Sequence, residues 1–390
     1  MLSLVPGLDP AWGGMASAAT SMLLATQKVG VDSVVAVPQH GGLDAPSRVL
    51  VDLLERSGVV VQSLPALPWP RRAAYRWGLS PAQASWTARH IADFDLVHVH
   101  GVWGMSPVIG LAARRMAGKP IVVTAHESLT EFDIDGSRSA SRRRQKQFLK
   151  SLFLRYTTLF VLTSELEARE SLPLSARQRT VHLPVVDAEE EVPALRPRGE
   201  GRNLRVGFLG RVDPKKNLDL LIDAVAQLPD HVRLVVAGDG PADLVKRLRQ
   251  RADGLELSGR VDWLGFIEPR DRTRFLEDLD LLAMPSRFES FGLSAAEAML
   301  HGVPVLVSER TGIAEVIARH GGGRITPATV PGIATAISDL DANRGVLPSI
   351  GASGQAAVME ELDYTRIGQA LHDAYTDAIR FAQGTPLRQS

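Results

Sequence analysis

The 390-residue chain contains no cysteine. This absence excludes disulfide bonds, thiolate zinc sites and a cysteine nucleophile. The chain also lacks a net charge, because 44 Lys and Arg side chains balance 44 Asp and Glu side chains. A dedicated nucleic-acid-binding protein usually carries a basic excess, so the composition argues against that class and against a nucleic-acid partner.

Long apolar segments are absent as well. No run approaches the ~20 residues that a membrane-spanning helix needs, and the opening MLSLVPGLDP lacks the basic and long apolar regions of a secretory signal peptide. We therefore expect a cytoplasmic protein. The length favours two or three domains, and a hydrophobic content of 45% is sufficient for complete cores.

Short apolar segments alternate with amphipathic ones along the chain, which predicts parallel β-α-β units. In the first half, the predicted strands after the first one are 32–38, 59–64, 96–100, 120–126 and 158–164. In the second half, they are 204–210, 232–238, 261–266, 280–285, 303–308 and 322–326. The charged, aperiodic segment between the two halves predicts a linker. The predicted fold is α/β, with two doubly wound domains at 1–190 and 204–363 and a linker at 191–203.

The segment PSRFESFGLSAAEAMLHGVPVLVSE (285–309) predicts a loop with Gly292, a helix of about three turns and a further strand. Ser290 is the predicted cap of this helix, and Gly302 marks its end. The amino end of a helix presents backbone N–H groups and the positive end of the helix dipole. The segment therefore predicts a site for a phosphorylated ligand.

Two carboxylates lie on either side of that loop–helix junction. Glu289 precedes the helix and Glu297 lies within it, about 12 Å further along if the whole interval were helical. They are too far apart to share a proton, but they are suited to hold two parts of a long ligand. For each acid alone, a favourable position near the dipole or a solvated helix face is the simpler interpretation. The apolar surroundings in LSAAEAML favour a functional role for Glu297.

The segment GFLGRVDPKKN (207–217) places two cations after a predicted strand. Arg211 follows Gly210 directly, and Lys216 lies just before the next predicted helix. A forked guanidinium and a compact ammonium together suit a diphosphate. A solvated basic loop is the alternative, but the predicted phosphate site in the same domain favours the diphosphate interpretation.

The first half has a comparable turn between its first strand and first helix. Gly13 and Gly14 lie there, at a position where open α/β sheets commonly bind phosphate groups. A turn that merely requires glycine is an equally good interpretation.

Three histidines follow or lie within predicted strands of the first half. His126 comes at the carboxyl end of its strand, where ligands bind in such sheets, and is our candidate for contact with the reacting group. His98 and His100 share one face of their strand. A histidine pair without a third ligand favours a structural role over a metal site.

The segment 138–156 is basic and amphipathic. Its cations lie beside apolar residues; they are Arg142, Arg143, Arg144, Lys146 and Lys150. This pattern predicts either contact with an anionic membrane surface or acidic acceptor, or a helix that packs through its apolar residues with solvated charges.

The segment GDGPAD (238–243) follows a predicted strand and begins a predicted helix. Asp243 stands where a dinucleotide-binding fingerprint requires a glycine for close packing. The sequence therefore argues against a hydride-transfer enzyme.

Taken together, the motifs resemble those of the family-4 retaining glycosyltransferases of the GT-B fold. The specific ones are GR-x4-KN, AGDGP, FESFGLSAAE, HGVPV and TGIAEVI in the second half, with weaker ones, VHVHGVWG and VVTAHES, in the first. The resemblance implies two Rossmann-like domains that face each other across a cleft. It also implies that the carboxyl-terminal segment 364–390, with a helix at 364–381, crosses back to the first domain.

The resemblance further implies a role for each matching residue of the donor site. Arg211 and Lys216, beside Gly210, would bind the donor diphosphate. Backbone groups of the loop and helix start would assist them; these belong to Phe291, Gly292 and Leu293. Glu297 would accept hydrogen bonds from the ribose hydroxyls, and Glu289 would hold the donor sugar.

In the first domain, the resemblance implies that Gly14, next to Gly13, approaches the diphosphate and that His126 contacts the sugar near the reacting carbon. The implied reaction moves a sugar from a nucleotide-diphosphate sugar to a hydroxyl of a saccharide or lipid-linked saccharide, with retention of configuration. No metal or other cofactor is implied. Synthesis of a cell-surface polysaccharide or glycolipid, on the inner face of the membrane, is the expected setting. The alternatives are a sugar-nucleotide epimerase or hydrolase and a non-catalytic subunit that binds the nucleotide sugar.

Overall fold

The computed structural model describes residues 1–8, 14–39, 45–67, 78–137, 139–173, 175–185, 192–196 and 203–384. Its internal contacts divide the chain into two compact units. The first unit comprises Met1–Pro184 and Tyr364–Ser390, and the second comprises Val185–Asp363. Most of the predicted linker, 191–203, lies outside the described residues.

The first unit is built on a parallel sheet of seven strands in the order β3-β2-β1-β4-β5-β6-β7, as far as the described residues extend. The strands are β1 Leu2–Leu4, β2 Val34–Gln39, β3 Val60–Pro65, β4 Val97–His100, β5 Ile121–Thr124, β6 Leu159–Leu162 and β7 Gln178–Thr180. The helices of this unit are α1 Gly14–Lys28, α2 Ala45–Arg56, α3 Pro81–His90, α4 Met105–Ala117, α5 Glu131–Asp135, α6 Ala140–Tyr156, α7 Glu165–Ser171 and, at the carboxyl end, α15 Tyr364–Ala382.

In the described part of the second unit, six strands form a parallel sheet in the order β10-β9-β8-β11-β12-β13. The strands are β8 Leu204–Leu209, β9 Val232–Ala237, β10 Val261–Gly265, β11 Leu281–Met284, β12 Val305–Ser308 and β13 Gly323–Thr326. The helices are α8 Leu218–Ala226, α9 Ala242–Gly254, α10 Pro269–Glu277, α11 Leu293–Leu300, α12 Ala314–His320, α13 Val330–Ala342 and α14 Leu347–Glu361.

Several central strands contain continuous apolar runs, such as IVV in β5, LFVL in β6 and VLV in β12, and these residues are buried. Helices cover both faces of a parallel sheet, so its strands need no polar side. Each predicted strand with a stated range lies within two residues of an observed one at both ends. The sequence pattern does not predict α7 and β7, because both are too short and too mixed in composition to display a period.

The helix α15 packs against α1 within the first unit. Its buried residues recur at helical spacing and include Ile367, Leu371 and Ala374. Gly368 permits the close approach, because a Cβ there would lie 2.1 Å from the Ala25 carbonyl oxygen. Among the described residues, no helix has the length and apolar character needed to cross a bilayer.

Candidate active site

In the second unit, the strand order reverses between β8 and β11, which are direct neighbours in the sheet. Ligands of open parallel sheets bind beyond the carboxyl ends of the strands at such a reversal. The segment after β8 carries Arg211 and Lys216, and the segment after β11 carries Glu289. The topology therefore brings together two parts of the chain that lie about 70 residues apart.

A tight turn after β8 positions Lys216. The Asp213 carboxylate accepts the N–H of Lys215 at 3.0 Å and caps a short 3-10 helix, Pro214–Lys216. Asn217 then adopts a left-handed φ of 52°, and its side chain donates to the Pro285 carbonyl at 2.8 Å. This hydrogen bond fixes the turn to the segment that follows β11.

Lys216 and Glu289 form an ion pair, with 2.6 Å between Nζ and Oε1. Their side chains are 15% and 12% exposed. Burial raises the pKa of Glu289, but Lys216 and Lys215 outweigh burial and hold that pKa below its ordinary value. A Cβ at Gly210 would lie 3.9 Å from Lys216 Nζ, so the lysine passes beside this glycine. The sequence-predicted Gly210, Lys216 and Glu289 thus lie together.

Arg211 occupies a more open position than Lys216. Its side chain is 59% exposed, and its guanidinium lies 3.5 Å from the Asp213 carboxylate. Within the described residues, the structure therefore pairs Arg211 with Asp213 rather than with Glu289.

The loop that carries Glu289 is held by a parallel bridge to the residues before α12. The Glu289 N–H donates to the Arg310 carbonyl at 3.0 Å, and its own carbonyl accepts the Gly312 N–H at 3.0 Å. The Phe291 carbonyl accepts the Ile313 N–H at 2.7 Å, and the Phe291 ring is buried. The loop is consequently a rigid support for the acid.

The helix α11 begins directly after this loop. Gly292 is its N-cap, with a φ of 115°, and a Cβ there would lie 2.7 Å from Met284 Cε. Ser290 does not cap the helix as predicted, because the helix starts at Leu293 and its first turn has no side-chain cap. The helix has eight residues, or about two turns rather than three. The amide groups of an uncapped first turn suit an anion.

Glu297 lies one turn into α11, with its side chain 31% exposed. An Arg272 guanidinium nitrogen lies 3.3 Å from its Oε1. Burial raises the pKa of Glu297, and Arg272 offsets this only in part. The pKa values of these two acids are therefore shifted in opposite directions, with that of Glu289 lowered and that of Glu297 raised.

In the first unit, the sheet order reverses between β1 and β4. Gly14 begins α1 just beyond β1, whereas Gly13 lies outside the described residues. His126 follows β5 in a left-handed conformation, with a φ of 48°. Its Nε2 lies 3.1 Å from His100 Nδ1, and burial lowers the pKa of His126 to about 4. The imidazole is neutral at neutral pH and can only donate or accept hydrogen bonds there.

His98 is held on both of its ring nitrogens. Nδ1 lies 2.9 Å from the Tyr375 hydroxyl of α15, and Nε2 lies 2.9 Å from the Thr124 hydroxyl. The described part of the chain contains no group of three or more metal-ligating side chains. His98 therefore has the contacts of a structural residue.

Two family models match the chain. The model described as Glycosyltransferase Family 4 matches residues 12–187, and the one described as Glycosyl transferases group 1 matches residues 196–346. The chain belongs to the family-4 glycosyltransferases.

Curated relatives include D-inositol 3-phosphate glycosyltransferases of mycobacteria. That of Mycobacterium sp. strain KMS is 33% identical over 257 residues, which is 61% of this chain and 56% of the relative. That of Mycobacterium marinum is 29% identical over 402 residues, which is 96% of this chain and 83% of the relative. The chain thus matches only about half of the length of the first of these relatives.

Two solved structures share the fold of this family-4 member. HepE from Anabaena, in complex with UDP and glucose, has a TM-score of 0.76 at 21% identity, over 96% of this chain and 99% of HepE. Sucrose-phosphate synthase from Thermosynechococcus elongatus has a TM-score of 0.77 at 20% identity, over 96% and 98% of the two chains. The fold class is GT-B, with two Rossmann-like domains.

The glycines of GDGP in this family-4 member have a packing role. Gly238 has a φ of 149°, and a Cβ there would lie 1.8 Å from the Gly210 carbonyl oxygen. A side chain would therefore separate the loops that follow β8 and β9. Close packing of these two loops explains why residue 238 is glycine, so a bound dinucleotide is not needed to explain it.

In the basic segment 138–156, residue 138 lies outside the described residues, Ser139 is the N-cap, and Ala140–Tyr156 form α6. Lys146 pairs with Asp133 at 2.6 Å, and Lys150 donates to a backbone carbonyl at 2.8 Å. Phe153 is buried, whereas Phe148 is 62% exposed. The helix thus combines packed residues and engaged cations with an exposed aromatic side chain.

Several contacts of the candidate site had no signal in the sequence. Arg272 lies 25 residues before Glu297, and no motif links them. Glu167 holds the turn at His126 from a helix 40 residues away. Asn217 was visible only as part of the KN dipeptide, without its hydrogen bond to Pro285.

Proposed function

We propose that this protein is a retaining, metal-independent glycosyltransferase that moves a sugar from a nucleotide-diphosphate sugar to an acceptor hydroxyl. Membership in family 4 supports sugar transfer in general. The proposed donor and mechanism rest chiefly on one observation: Lys216 and Glu289 form a shielded ion pair at the sheet reversal where α11 begins without a side-chain cap.

The donor diphosphate fits this junction because it carries the opposite charge to both the lysine and the helix start. The Lys216 ammonium and the amides of Gly292 and Leu293 supply fixed positive potential to the departing diphosphate. Preorganised groups of this kind stabilise charge that develops in a transition state. They can therefore do the work that a metal ion does in other phosphate sites. Arg211, exposed beside Asp213, is proposed to turn towards the bound diphosphate.

The two acids of α11 and its preceding loop are proposed to hold the other parts of the donor. Glu289 stays ionised next to Lys216 and accepts hydrogen bonds from the sugar hydroxyls. Glu297 accepts hydrogen bonds from the ribose hydroxyls, which would compete with Arg272 for the carboxylate. His126, as a neutral imidazole, is proposed to hydrogen-bond the sugar near its reacting carbon.

In the proposed reaction, the acceptor oxygen attacks the anomeric carbon on the face from which the diphosphate leaves. The bond from this carbon to the diphosphate oxygen breaks, and the bond to the acceptor oxygen forms. The acceptor proton moves to the departing phosphate oxygen. The configuration at the anomeric carbon is retained because both bonds lie on one face.

A uridine donor is supported by HepE, whose structure contains UDP and glucose. The D-inositol 3-phosphate glycosyltransferases support a polyhydroxylated acceptor. We propose a saccharide or lipid-linked saccharide of the cell surface as the acceptor class, with inositol phosphate as the comparison compound.

The first test is thermal unfolding of the purified protein with UDP-, GDP-, ADP- and dTDP-sugars, each with and without EDTA. A ligand that binds only the folded protein raises the Tm by mass action. We expect a rise of several degrees with one nucleotide class, unchanged by EDTA. Sugar transfer to the acceptor compounds is then measured with that donor.

Three outcomes would contradict the proposal. A Tm shift that EDTA abolishes would make the site metal-dependent. Donor turnover without any acceptor would favour an epimerase or hydrolase. No shift with any nucleotide, from folded protein, would favour a non-catalytic subunit.

We also propose that α6 makes a peripheral contact with anionic membrane. Phe148 is exposed on this helix, and Arg144 and Arg155 are exposed on it as well. An aromatic side chain beside cations is typical of surfaces that bind anionic lipid. Lys146 and Lys150 contribute less, since both contact the protein itself.

Cosedimentation with phosphatidylglycerol vesicles tests this contact. We expect binding at low salt that weakens at high salt, and about a fivefold loss for each cation removed. The double change Arg144→Glu and Phe148→Ser should abolish binding, while Arg56→Glu on α2 serves as the control with the same charge change. Equal binding by both variants, or no binding by the wild type at low salt, would rule the contact out.

A further inference from the structure

His126 and Glu127 form a turn that ordinary side chains seldom adopt. The φ angle is 48° at His126 and 75° at Glu127, so two consecutive residues that are not glycine lie in the left-handed region. Each such residue costs conformational energy. The turn persists only if contacts from elsewhere in the fold hold it.

The Glu167 carboxylate makes the contact that holds the turn. Its Oε1 accepts the backbone N–H of Glu127 at 2.6 Å. Its Oε2 accepts both the backbone N–H and the hydroxyl of Thr163 at 2.8 Å. The side chain is completely buried at the start of α7, where the Ser164 hydroxyl caps the helix by accepting the Glu167 N–H. Glu167 thus links a rigid helix start to the residue that directly follows His126.

A buried carboxylate is a costly way to hold a loop. Burial raises the pKa of Glu167, and the hydrogen bonds from Glu127 and Thr163 oppose this rise. An apolar side chain would fill the same space without the desolvation cost. The acid is therefore best explained by a need to fix the Glu127 amide in one place.

The His126 side chain is restrained at its other end by His100. The contact uses His126 Nε2, at 3.1 Å from His100 Nδ1. This leaves Nδ1 as the His126 ring nitrogen for a ligand. The hydrogen bond from Glu127 to Glu167 restrains the backbone next to His126, and the contact with His100 restrains the His126 ring. The direction of His126 Nδ1 therefore depends on both contacts.

We propose that Glu167 is a positioning residue, which clamps the Glu127 amide and thereby fixes the direction of the His126 imidazole. The inference rests on the proposed function insofar as His126 serves sugar transfer. The effect of Glu167 on the His126 imidazole can be measured without enzyme turnover.

The kinetic test uses Glu167→Gln, which keeps the volume but replaces one accepting oxygen with an NH₂ group. One of the two backbone N–H groups then loses its acceptor. We expect kcat to fall about 10- to 100-fold, as for a catalytic group displaced by about 1 Å, with little change in the donor KM. In a His126→Ala background, the same substitution should change kcat less than about twofold, since the residue that it positions is gone.

The second measurement is the pKa of His126 by NMR of ¹⁵N-histidine-labelled protein, with the resonance assigned from His126→Ala. In the wild type, we expect the imidazole to titrate at about 4. In Glu167→Gln, we expect its pKa to rise by roughly one unit as the ring becomes more solvated. This readout separates failure of the clamp from failure of the proposed function, because it needs neither donor nor acceptor.

Thr158→Val is the matched control in the same unit. The Thr158 hydroxyl accepts the Ile121 N–H and an Arg114 N–H, each at 3.0 Å, at the opposite end of the strands from His126. Thr158→Val should lower the Tm without changing the His126 pKa or kcat. If Glu167→Gln does not fold, Thr163→Val removes one hydrogen bond of the clamp and undergoes the same measurements. An unchanged His126 pKa in the clamp variant would overturn the proposal, as would an equal pKa shift in Thr158→Val. The proposal would also be overturned if Glu167→Gln lowered kcat as much in the His126→Ala background as in the wild type.

Discussion

Replacement of Lys216 by alanine is expected to lower kcat by about 10²- to 10³-fold, the range seen when one preorganised donor to developing charge is removed. The ammonium lies 2.6 Å from Glu289 and beside Gly210, at the reversal of the strand order. In the proposed mechanism, its loss removes a fixed cation from the departing diphosphate. Steady-state kinetics with the donor identified by thermal unfolding measure this effect.

Lys215→Ala is the matched control, since it removes the neighbouring lysine, whose Nζ lies 4.0 Å from Glu289. We expect it to change kcat less than about fivefold, because its ammonium lies 4.0 Å from the acid, whereas that of Lys216 lies 2.6 Å away. Equal losses from both substitutions would contradict a specific role for Lys216. A kcat within threefold of the wild type in Lys216→Ala would remove the lysine from the mechanism.

The same substitution has a consequence for acid stability. Lys216 holds the Glu289 pKa below its ordinary value, so the pair's stabilisation is present above the unfolded-state pKa and is lost as the pH falls through the lower folded-state pKa. Without Lys216, Lys215 alone of the two lysines opposes the effect of burial, so this pKa rises relative to the wild type. We expect Lys216→Ala to be less stable than the wild type at pH 7 and to lose less stability between pH 7 and pH 3, as measured by urea unfolding.

The second large effect is expected for Glu297→Ala, which should weaken nucleotide binding by about 10- to 100-fold, the equivalent of one or two hydrogen bonds to a charged group. The reason is the loss of the carboxylate that we propose accepts hydrogen bonds from the ribose hydroxyls. The kcat at saturating donor should change much less. Titration calorimetry with the free nucleoside diphosphate measures the affinity.

Asp223→Ala is the control, because it also removes an acid that pairs with an arginine of the second unit. Asp223 lies 2.5 Å from Arg251 on the outer helices α8 and α9. Nucleotide affinity should be unchanged in this variant. If Glu297→Ala binds the nucleotide as tightly as the wild type, the ribose assignment is wrong.

The affinity should also depend on pH. Burial raises the Glu297 pKa, and a protonated carboxyl group is a poorer acceptor than a carboxylate. Binding should therefore weaken as the pH falls through this raised pKa, while Glu289 remains ionised. Glu297→Gln should bind less tightly at pH 8 and lack this dependence. The same pH dependence in Glu297→Gln would assign it to another group.

Much of the fold was predictable because parallel strands covered on both faces are short apolar runs that stand out from the helices between them. The strands β5, β6 and β11 are examples. Helix starts were less predictable. Ser290 is a good N-cap by type, but Gly292 takes that position, since the loop is fixed by its bridge to Thr311 and a side chain at 292 would meet Met284.

The candidate site was predictable where its residues fall within one motif. Gly210, Arg211 and Lys216 lie in one segment, and Glu289, Gly292 and Glu297 lie in another. That Lys216 pairs with Glu289 while Arg211 pairs with Asp213 was not predictable, because both cations are equally available in the sequence. The pairing depends on the local fold: Lys216 ends the short 3-10 helix beside Glu289, whereas Arg211 precedes that helix and lies beside Asp213.

The sequence by itself determined the fold class, the family and the identity of most candidate residues, since these depend on local periodicity and on short motifs. Only the tertiary structure decided which charges meet and which turns are held. Arg272 reaches Glu297 across 25 residues, and Glu167 reaches Glu127 across 40. Such contacts depend on strand order and helix placement, which bring distant residues together and are not encoded in the spacing of any one segment.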